Sequence, residues 1–319
     1  MESVIRNSLR AEVNDNLLMN RIFEVVGKMK ILVTGAKGQV GTELCEQASA
    51  RGFDVLAAGR QDLDISDQNA VENYVVEHRP QIIINAAAYT AVDKAEEEVE
   101  LAEQINALGP KILAVAAAKI NIPLLHISTD YVYSGDKEGF YVESDETSAQ
   151  GIYGKTKHQG ELYVREALEQ YVTLRTSWVF GVTGNNFVRT MIRLATQHSE
   201  LGVVADQKGC PTFAGDIART LLTIAADYNA GKNVSWGTYH YCGKESVTWH
   251  EFAETIFEVA LQKGVIDKKP KVNALTTAEY PTAAKRPANS VMNCDQFIAA
   301  FPAIGQASWQ SGLEKVVES

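Results

Sequence analysis

Three sets of residues in this chain could do chemistry. Gly35-Ala36-Lys37-Gly38-Gln39-Val40-Gly41 has the spacing G-x-x-G-x-x-G. The first glycine permits a tight turn, the second lets backbone approach a pyrophosphate, and the third lets a helix pack closely on a strand. At ~7% glycine the triple spacing arises by chance roughly 0.1 times in a chain of this size, so context has to decide. The apolar run Lys30–Thr34 precedes it and a helical pattern follows, which favours a dinucleotide turn over a plain glycine-rich one.

The second set is Tyr153 and Lys157. Four residues apart at the start of a helical stretch, they share one face. A free phenol titrates near ~10, too high for easy proton exchange at neutral pH, and a nearby ammonium lowers that value. The pair could hand a proton to a carbonyl oxygen while hydride reaches the carbon, and Lys157 could also hold a nicotinamide ribose. The same spacing recurs at Tyr133 and Lys137 around Ser134-Gly135-Asp136. That turn signature predicts a surface loop in which no helix aligns the two side chains. The third set is Ser128-Thr129-Asp130, at the end of an apolar run. A hydroxyl at the carboxyl end of a parallel strand can bond a substrate carbonyl and support developing negative charge. The plainer role for Thr129 is a turn or helix cap.

These residues need elements to hold them. Strands are predicted at Lys30–Thr34, Asp54–Ala58, Gln81–Ala87, Pro123–Ser128 and Val172–Thr176. Helices are predicted at Gln39–Ala50, Asn69–Glu77, Leu101–Lys119 and residues 155–169. Continuously apolar strands alternating with helices imply an α/β fold, a doubly wound parallel sheet covered on both faces. The last third changes character, with a helix at Trp249–Gln262 and turn-like clusters. It reads as a smaller, discontinuous lobe. The division expected is an extension over 1–28, a dinucleotide-binding domain over 29–180 with part of 215–237, and a substrate lobe from 181–214 and 238–319.

Cofactor preference turns on the end of the second strand. An acid there would bond ribose hydroxyls. Here Gly59-Arg60 stands instead, and Arg60 could pair with a 2′-phosphate; a solvated surface arginine is the alternative. Asp64-Ile65 could line the adenine pocket. We therefore read NADPH as the favoured donor with NADH tolerated. Asn85-Ala86-Ala87-Ala88 leaves room where a cofactor crosses the strand ends, although alanines also serve tight helix–sheet packing.

Bulk composition excludes other classes. The 319 residues are 45% hydrophobic and 22% charged, as in a soluble globular protein. A formal charge of −10 argues against general nucleic-acid binding. No apolar stretch reaches the roughly 20 residues that span a bilayer. Residues 1–28 lack the pattern of a secretory signal, and Met29, directly before the first strand, reads as an alternative start. Cys45, Cys210, Cys242 and Cys294 are scattered, which fits reduced thiols in the cytoplasm better than a zinc site.

The motifs at 35–41, 128–130 and 153–157 together resemble the extended short-chain dehydrogenase/reductase superfamily. Longer strings resemble its dTDP-4-dehydrorhamnose reductase family: Asn85–Glu96 (NAAAYTAVDKAE), Ser128–Tyr133 (STDYVY), Arg175–Phe180 (RTSWVF), Gly184–Met191 (GNNFVRTM), Asp206–Thr212 (DQKGCPT) and Lys285–Ser290 (KRPANS). The resemblance implies a Rossmann-type fold and reduction of the 4-keto group of a dTDP-linked deoxysugar, dTDP-6-deoxy-L-lyxo-4-hexulose, to dTDP-L-rhamnose. It implies cofactor contacts at Gly38, Gln39, Val40, Asp64, Ile65, Ala88, Tyr89, Thr90 and Lys157, beside Gly35, Gly41, Arg60 and Ala87 already expected from the residues themselves. It implies sugar contacts at Thr129, Asp130, Tyr131 and Trp178, with Asn186 and Arg286 toward the diphosphate, and Tyr153 as proton donor. Trp178 could equally be a core aromatic and Arg286 a solvated charge. A homodimer is compatible with the resemblance. Some members bind Mg²⁺ through glutamates; Glu43 matches one such position, no partner ligands are identifiable, and a solvated Glu43 is preferred. The run Ala149-Gln150-Gly151-Ile152-Tyr153 departs from the family's P-x-N-x-Y, and losing the proline while gaining a glycine is expected to loosen that loop.

Two other readings stay open. A sugar-nucleotide dehydratase or epimerase would share the cofactor domain and the Tyr/Lys pair, but a dehydratase follows its threonine with Asp-Glu, and here Thr129-Asp130 runs into Tyr131. A regulatory subunit of methionine adenosyltransferase resembles the same reductases and would bind cofactor without turnover.

Overall fold

The computed structural model describes residues 28–319. The extension expected over 1–28 therefore lies, apart from Lys28, outside the described residues. Lys30–Thr34 (β1) is buried along its length except at Lys30, as a strand covered on both faces must be. It pairs in parallel with Asp54–Ala58 (β2) and Ile82–Asn85 (β3). Leu124–Thr129 (β4) and Tyr171–Thr176 (β5) continue beyond β3, and Gly237–His240 adds a sixth parallel strand outside β5. The sheet thus runs Gly237–His240, β5, β4, β3, β1, β2. Successive crossovers leave β1 in opposite directions, so the strand order reverses between β1 and β3. Ligands of open α/β sheets bind at such a reversal, outside the carboxyl ends of the strands.

Alternate residues of each strand feed two cores. Ile31, Val33, Ile84, Leu125 and Leu174 face Leu44 and Ala48 of helix α1 (Gln39–Ala50) and Ile217 and Leu221 of the Ala214–Asn229 helix. On the other face Leu32, Ile83 and Leu124 meet Val71 and Val75 of α2 (Gln68–His78). A third core, with Phe180, Phe213, Phe252, Phe257, Trp309 and Leu313, belongs to the C-terminal part. The Trp249–Gln262 helix forms where expected, started by a capping box between Thr248 and Glu251.

Two sequence expectations need correction. A short helix, α3 (Val92–Ala95), comes first; the helix expected over Leu101–Lys119 then runs without a gap but carries a π turn, as α4 (Val99–Glu103), a π-helical turn (Gln104–Leu108) and α5 (Gly109–Lys119). Pro110 restarts the helix; having no N–H and clashing with the carbonyl four residues back, it disfavours a regular α-turn there. The loop at Tyr133–Lys137 has no helix, as expected, but Tyr133 is fully buried. Its hydroxyl accepts from Arg175 at 2.7 Å and lies 2.6 Å from His240 Nε2, partners that no local pattern reveals.

Candidate active site

The glycine turn leaves β1 and opens α1. Gly35 has φ +69°, in the left-handed region that side chains avoid, and a Cβ there would lie 2.5 Å from the Ala87 nitrogen. A Cβ on Gly41 would overlap the Gly35 carbonyl oxygen. Gly38 caps α1 without a side chain, so the helix presents its free N–H groups and positive end to the crevice. A cavity of about 410 Å³ opens there. Its walls include Gly35, Gly38, Arg60, Asp64, Ile65, Ala87, Ala88, Tyr89 and Thr90, all of them expected cofactor contacts. Gln39, Val40 and Gly41 belong to the first turn of α1 and are not among those walls. The fit is that of an extended dinucleotide: a tight glycine turn, an anion-binding helix end and a partly apolar trough.

Charge at this cavity is divided. Lys37, which motif reasoning passed over, lines it with Arg60. Lys37 is 3.7 Å from Asp62 and its side chain is 71% exposed, so the pair is loose. Asp62 also accepts from the Gly59 N–H at 2.9 Å. Asp64 accepts from the Ser66 hydroxyl and N–H, which hold its carboxyl below the usual range. Both acids are thus engaged locally, leaving two cations at the rim.

The catalytic set gathers at the end of β4. Helix α6 (Ile152–Ala167) begins one residue before Tyr153, three earlier than expected, and puts Tyr153 and Lys157 on one face. Thr129 is buried and caps the short turn after β4, accepting from Tyr131 N–H at 3.3 Å and donating to Asp130 Oδ1 at 3.0 Å. The cap role and a chemical role therefore coexist. Burial pushes the Tyr153 phenol well above its ordinary value, and a hydrogen bond with Thr129 opposes that push. Lys157 is fully buried and donates to the Ile127 carbonyl at 2.6 Å. Burial draws its ammonium down to about 8, with Glu161 opposing. The expected lowering of Tyr153 by Lys157 is therefore not what this geometry produces: desolvation dominates, and the phenol stays protonated at neutral pH.

Asp130 is buried too. Burial raises its carboxyl to about 6 against the hydroxyls of Ser290 and Thr129. Tyr131 packs edge-on against Tyr153, ring centroids 5.4 Å apart. Arg286 reaches this layer from the C-terminal part, donating to Asp93 at 2.7 Å and to the Tyr131 hydroxyl at 3.2 Å. Asp93 also accepts from Ala284 N–H at 3.0 Å. Trp178 lies flat on Trp249, centroids 3.5 Å apart, with its own φ at +48°. A bulky residue there is strained and must be held by its surroundings. Asn186 is a helix cap for Arg189 N–H, and its amide donates to Gly181 O and Gln39 Oε1, so it ties the C-terminal part to the glycine turn. Glu43 accepts from Gln47 at 3.1 Å. Among the described residues no group of three or more His, Cys, Asp or Glu is placed to hold a metal.

Sequence reasoning missed several supports. Asn106, in the π turn, accepts from Tyr89 N–H and donates to Tyr89 O, clamping the loop after β3. Glu161 takes a bidentate contact from Arg175 beneath Lys157. Asp93 and Glu96 fall inside the string Asn85–Glu96, but their partners are more than fifty residues away. Only the π turn left a local signal, at Pro110.

Comparisons with known proteins agree with this geometry. The model of the RmlD substrate binding domain family matches residues 29–319. A dTDP-4-dehydrorhamnose reductase from Aggregatibacter actinomycetemcomitans is 45% identical over 288 residues, 90% of this chain and 98% of that protein. A solved dTDP-4-dehydrorhamnose reductase from Clostridium acetobutylicum superposes with a TM-score of 0.84 at 40% identity, covering 91% of this chain and 99% of its own. One from Bacillus anthracis, solved in complex with NADP, also gives 0.84 at 38% identity, covering 92% and 100%. The chain belongs to the dTDP-4-dehydrorhamnose reductase family.

Proposed function

We propose that this chain reduces the 4-keto group of dTDP-6-deoxy-L-lyxo-4-hexulose to give dTDP-L-rhamnose, acting in the cytoplasm with NADPH preferred over NADH. The observation that carries the chemistry is the half-buried Tyr153 phenol beside Thr129 at the carboxyl end of β4. The relatives' shared activity carries the substrate. The dinucleotide, when bound, supplies the hydride. Gly35, Gly38, Gln39, Val40 and Gly41 hold its pyrophosphate, Asp64, Ile65 and Ala87–Thr90 line its path, and Lys157 holds the nicotinamide ribose. Lys37 and Arg60 meet a 2′-phosphate, which is why the phosphorylated donor is preferred.

Thr129 and Tyr153 converge on the sugar carbonyl oxygen. Thr129 polarises it, and Tyr153, protonated at neutral pH, gives up its proton as charge develops on that oxygen. Asp130, Tyr131 and Trp178 contact the sugar, and Arg286, positioned by Asp93, meets the diphosphate. Asn186 is assigned to the same diphosphate, and its amide also holds Gln39 of the glycine turn. In this reading the cofactor domain is residues 29–180 with part of 215–237 and runs on through His240, because Gly237–His240 is the sixth strand of its sheet; 181–214 and most of the chain after His240 form the substrate lobe. The test is direct: supply the keto-sugar nucleotide with NADPH and follow NADPH loss and rhamnosyl product. Tyr153→Phe is expected to cut kcat at least ~100-fold with cofactor binding kept, the scale of a lost general acid. Unchanged turnover in that variant refutes the mechanism; no turnover by the parent protein refutes the substrate.

A further inference from the structure

The first turn of α6 carries Tyr153, yet α6 begins without a capping side chain. Its N-cap is Gly151, in extended conformation at φ −114° and ψ 168°. The first helical N–H, that of Ile152, is satisfied from elsewhere: it donates to Glu96 Oε1 at 2.8 Å. Glu96 directly follows α3, on the loop that leaves β3 past the cavity wall at Ala88–Thr90. The vacancy at Gly151 and the reach of Glu96 are one arrangement, because a Cβ built on Gly151 would come within 2.7 Å of that same carboxylate oxygen.

We propose that Glu96 is the positioning residue for Tyr153: its carboxylate caps the catalytic helix in trans, and Gly151 is glycine to admit it. An uncapped N-terminus frays from its first turn, and Tyr153 is the second residue of that turn. A negative charge there also complements the positive end of the helix dipole. The cap ties the orientation of the phenol to the loop that walls the cofactor cavity, so movement of one is felt by the other. Glu96 touches neither reacting atom and acts through the helix. The inference rests on the role proposed for Tyr153, but its structural half can be read without any substrate.

The experiment uses four variants of the full chain. Glu96→Gln keeps an oxygen acceptor and is expected to retain kcat within about twofold. Glu96→Ala removes the cap, and kcat is expected to fall about fivefold with KM for NADPH unchanged, the factor matching a typical lost cap. Gly151→Asn alone crowds Glu96 and is expected to slow the enzyme. Glu96→Ala combined with Gly151→Asn has both room and a local cap, and is expected to recover most of kcat. Amide hydrogen exchange at Ile152 supplies the activity-independent readout: protection is expected to drop in Glu96→Ala and return in the double variant. If Ile152 protection and kcat are both indifferent to Glu96→Ala, or if the double variant is no better than the single ones, the proposal is wrong. If protection follows the pattern while no variant, parent included, turns over the sugar nucleotide, the cap stands and the substrate reading fails.

Discussion

Asp130 should be more stable as an amide. Its side chain is 3% exposed, and burial lifts its carboxyl from 3.8 to about 6. At about 1.4 kcal/mol per pH unit, a lift of that size opposes folding by up to about 3 kcal/mol at neutral pH. The sign follows from proton binding. The folded-state pKa lies above the unfolded one, so the folded protein holds this proton more tightly. Stability from this group is fully present below about pH 4 and is lost as pH rises through about 6. Asp130→Asn removes the charge that must be desolvated and keeps an oxygen to accept from Thr129. It is therefore expected to raise the unfolding free energy by about 1 to 3 kcal/mol at pH 7.5, with the gap closing toward pH 4. The range allows for relaxation around the charge. Urea unfolding at pH 7.5, 5.5 and 4.2 measures this, provided the m-values of the two proteins agree. A variant less stable at pH 7.5, or a stability gap independent of pH, refutes the reasoning. Turnover is expected to fall in the same variant, because a site can keep a destabilising group that its chemistry needs.

Other expectations concern the two ends of the site. Arg60→Ala should raise KM for NADPH about tenfold and leave KM for NADH nearly unchanged, since only the former presents a 2′-phosphate; equal effects on both cofactors would make Arg60 an ordinary surface residue. Asp93→Asn weakens the hold on Arg286 and Ala284. The Asp93–Arg286 pair is only partly buried, so the expected change is a three- to fivefold rise in KM for the sugar nucleotide with kcat kept. A loss confined to kcat would place Asp93 in the chemistry instead.

The features legible in the sequence are those made by neighbours in the chain. The glycines at 35, 38 and 41 announce a turn because the steric demand is local. Alternating apolar runs announce the parallel sheet because each strand needs cover on both faces. Tyr153 and Lys157 announce a shared face because four residues only slightly exceed one helical turn of about 3.6. Tertiary structure decided what depends on distant partners and on solvent. Tyr133, placed on the surface by its turn signature, is buried because Arg175 and His240, 42 and 107 residues away, meet its hydroxyl. The cap on the catalytic helix comes from Glu96, 56 residues before Ile152. The phenol of Tyr153 is raised rather than lowered, because desolvation dominates and a hydrogen bond with Thr129, not the Lys157 ammonium, opposes it. Residue spacing records which side chains can share a face; only packing determines which of them lose their water, and at this site that loss moves the titrations of Asp130, Tyr153 and Lys157 away from their ordinary values.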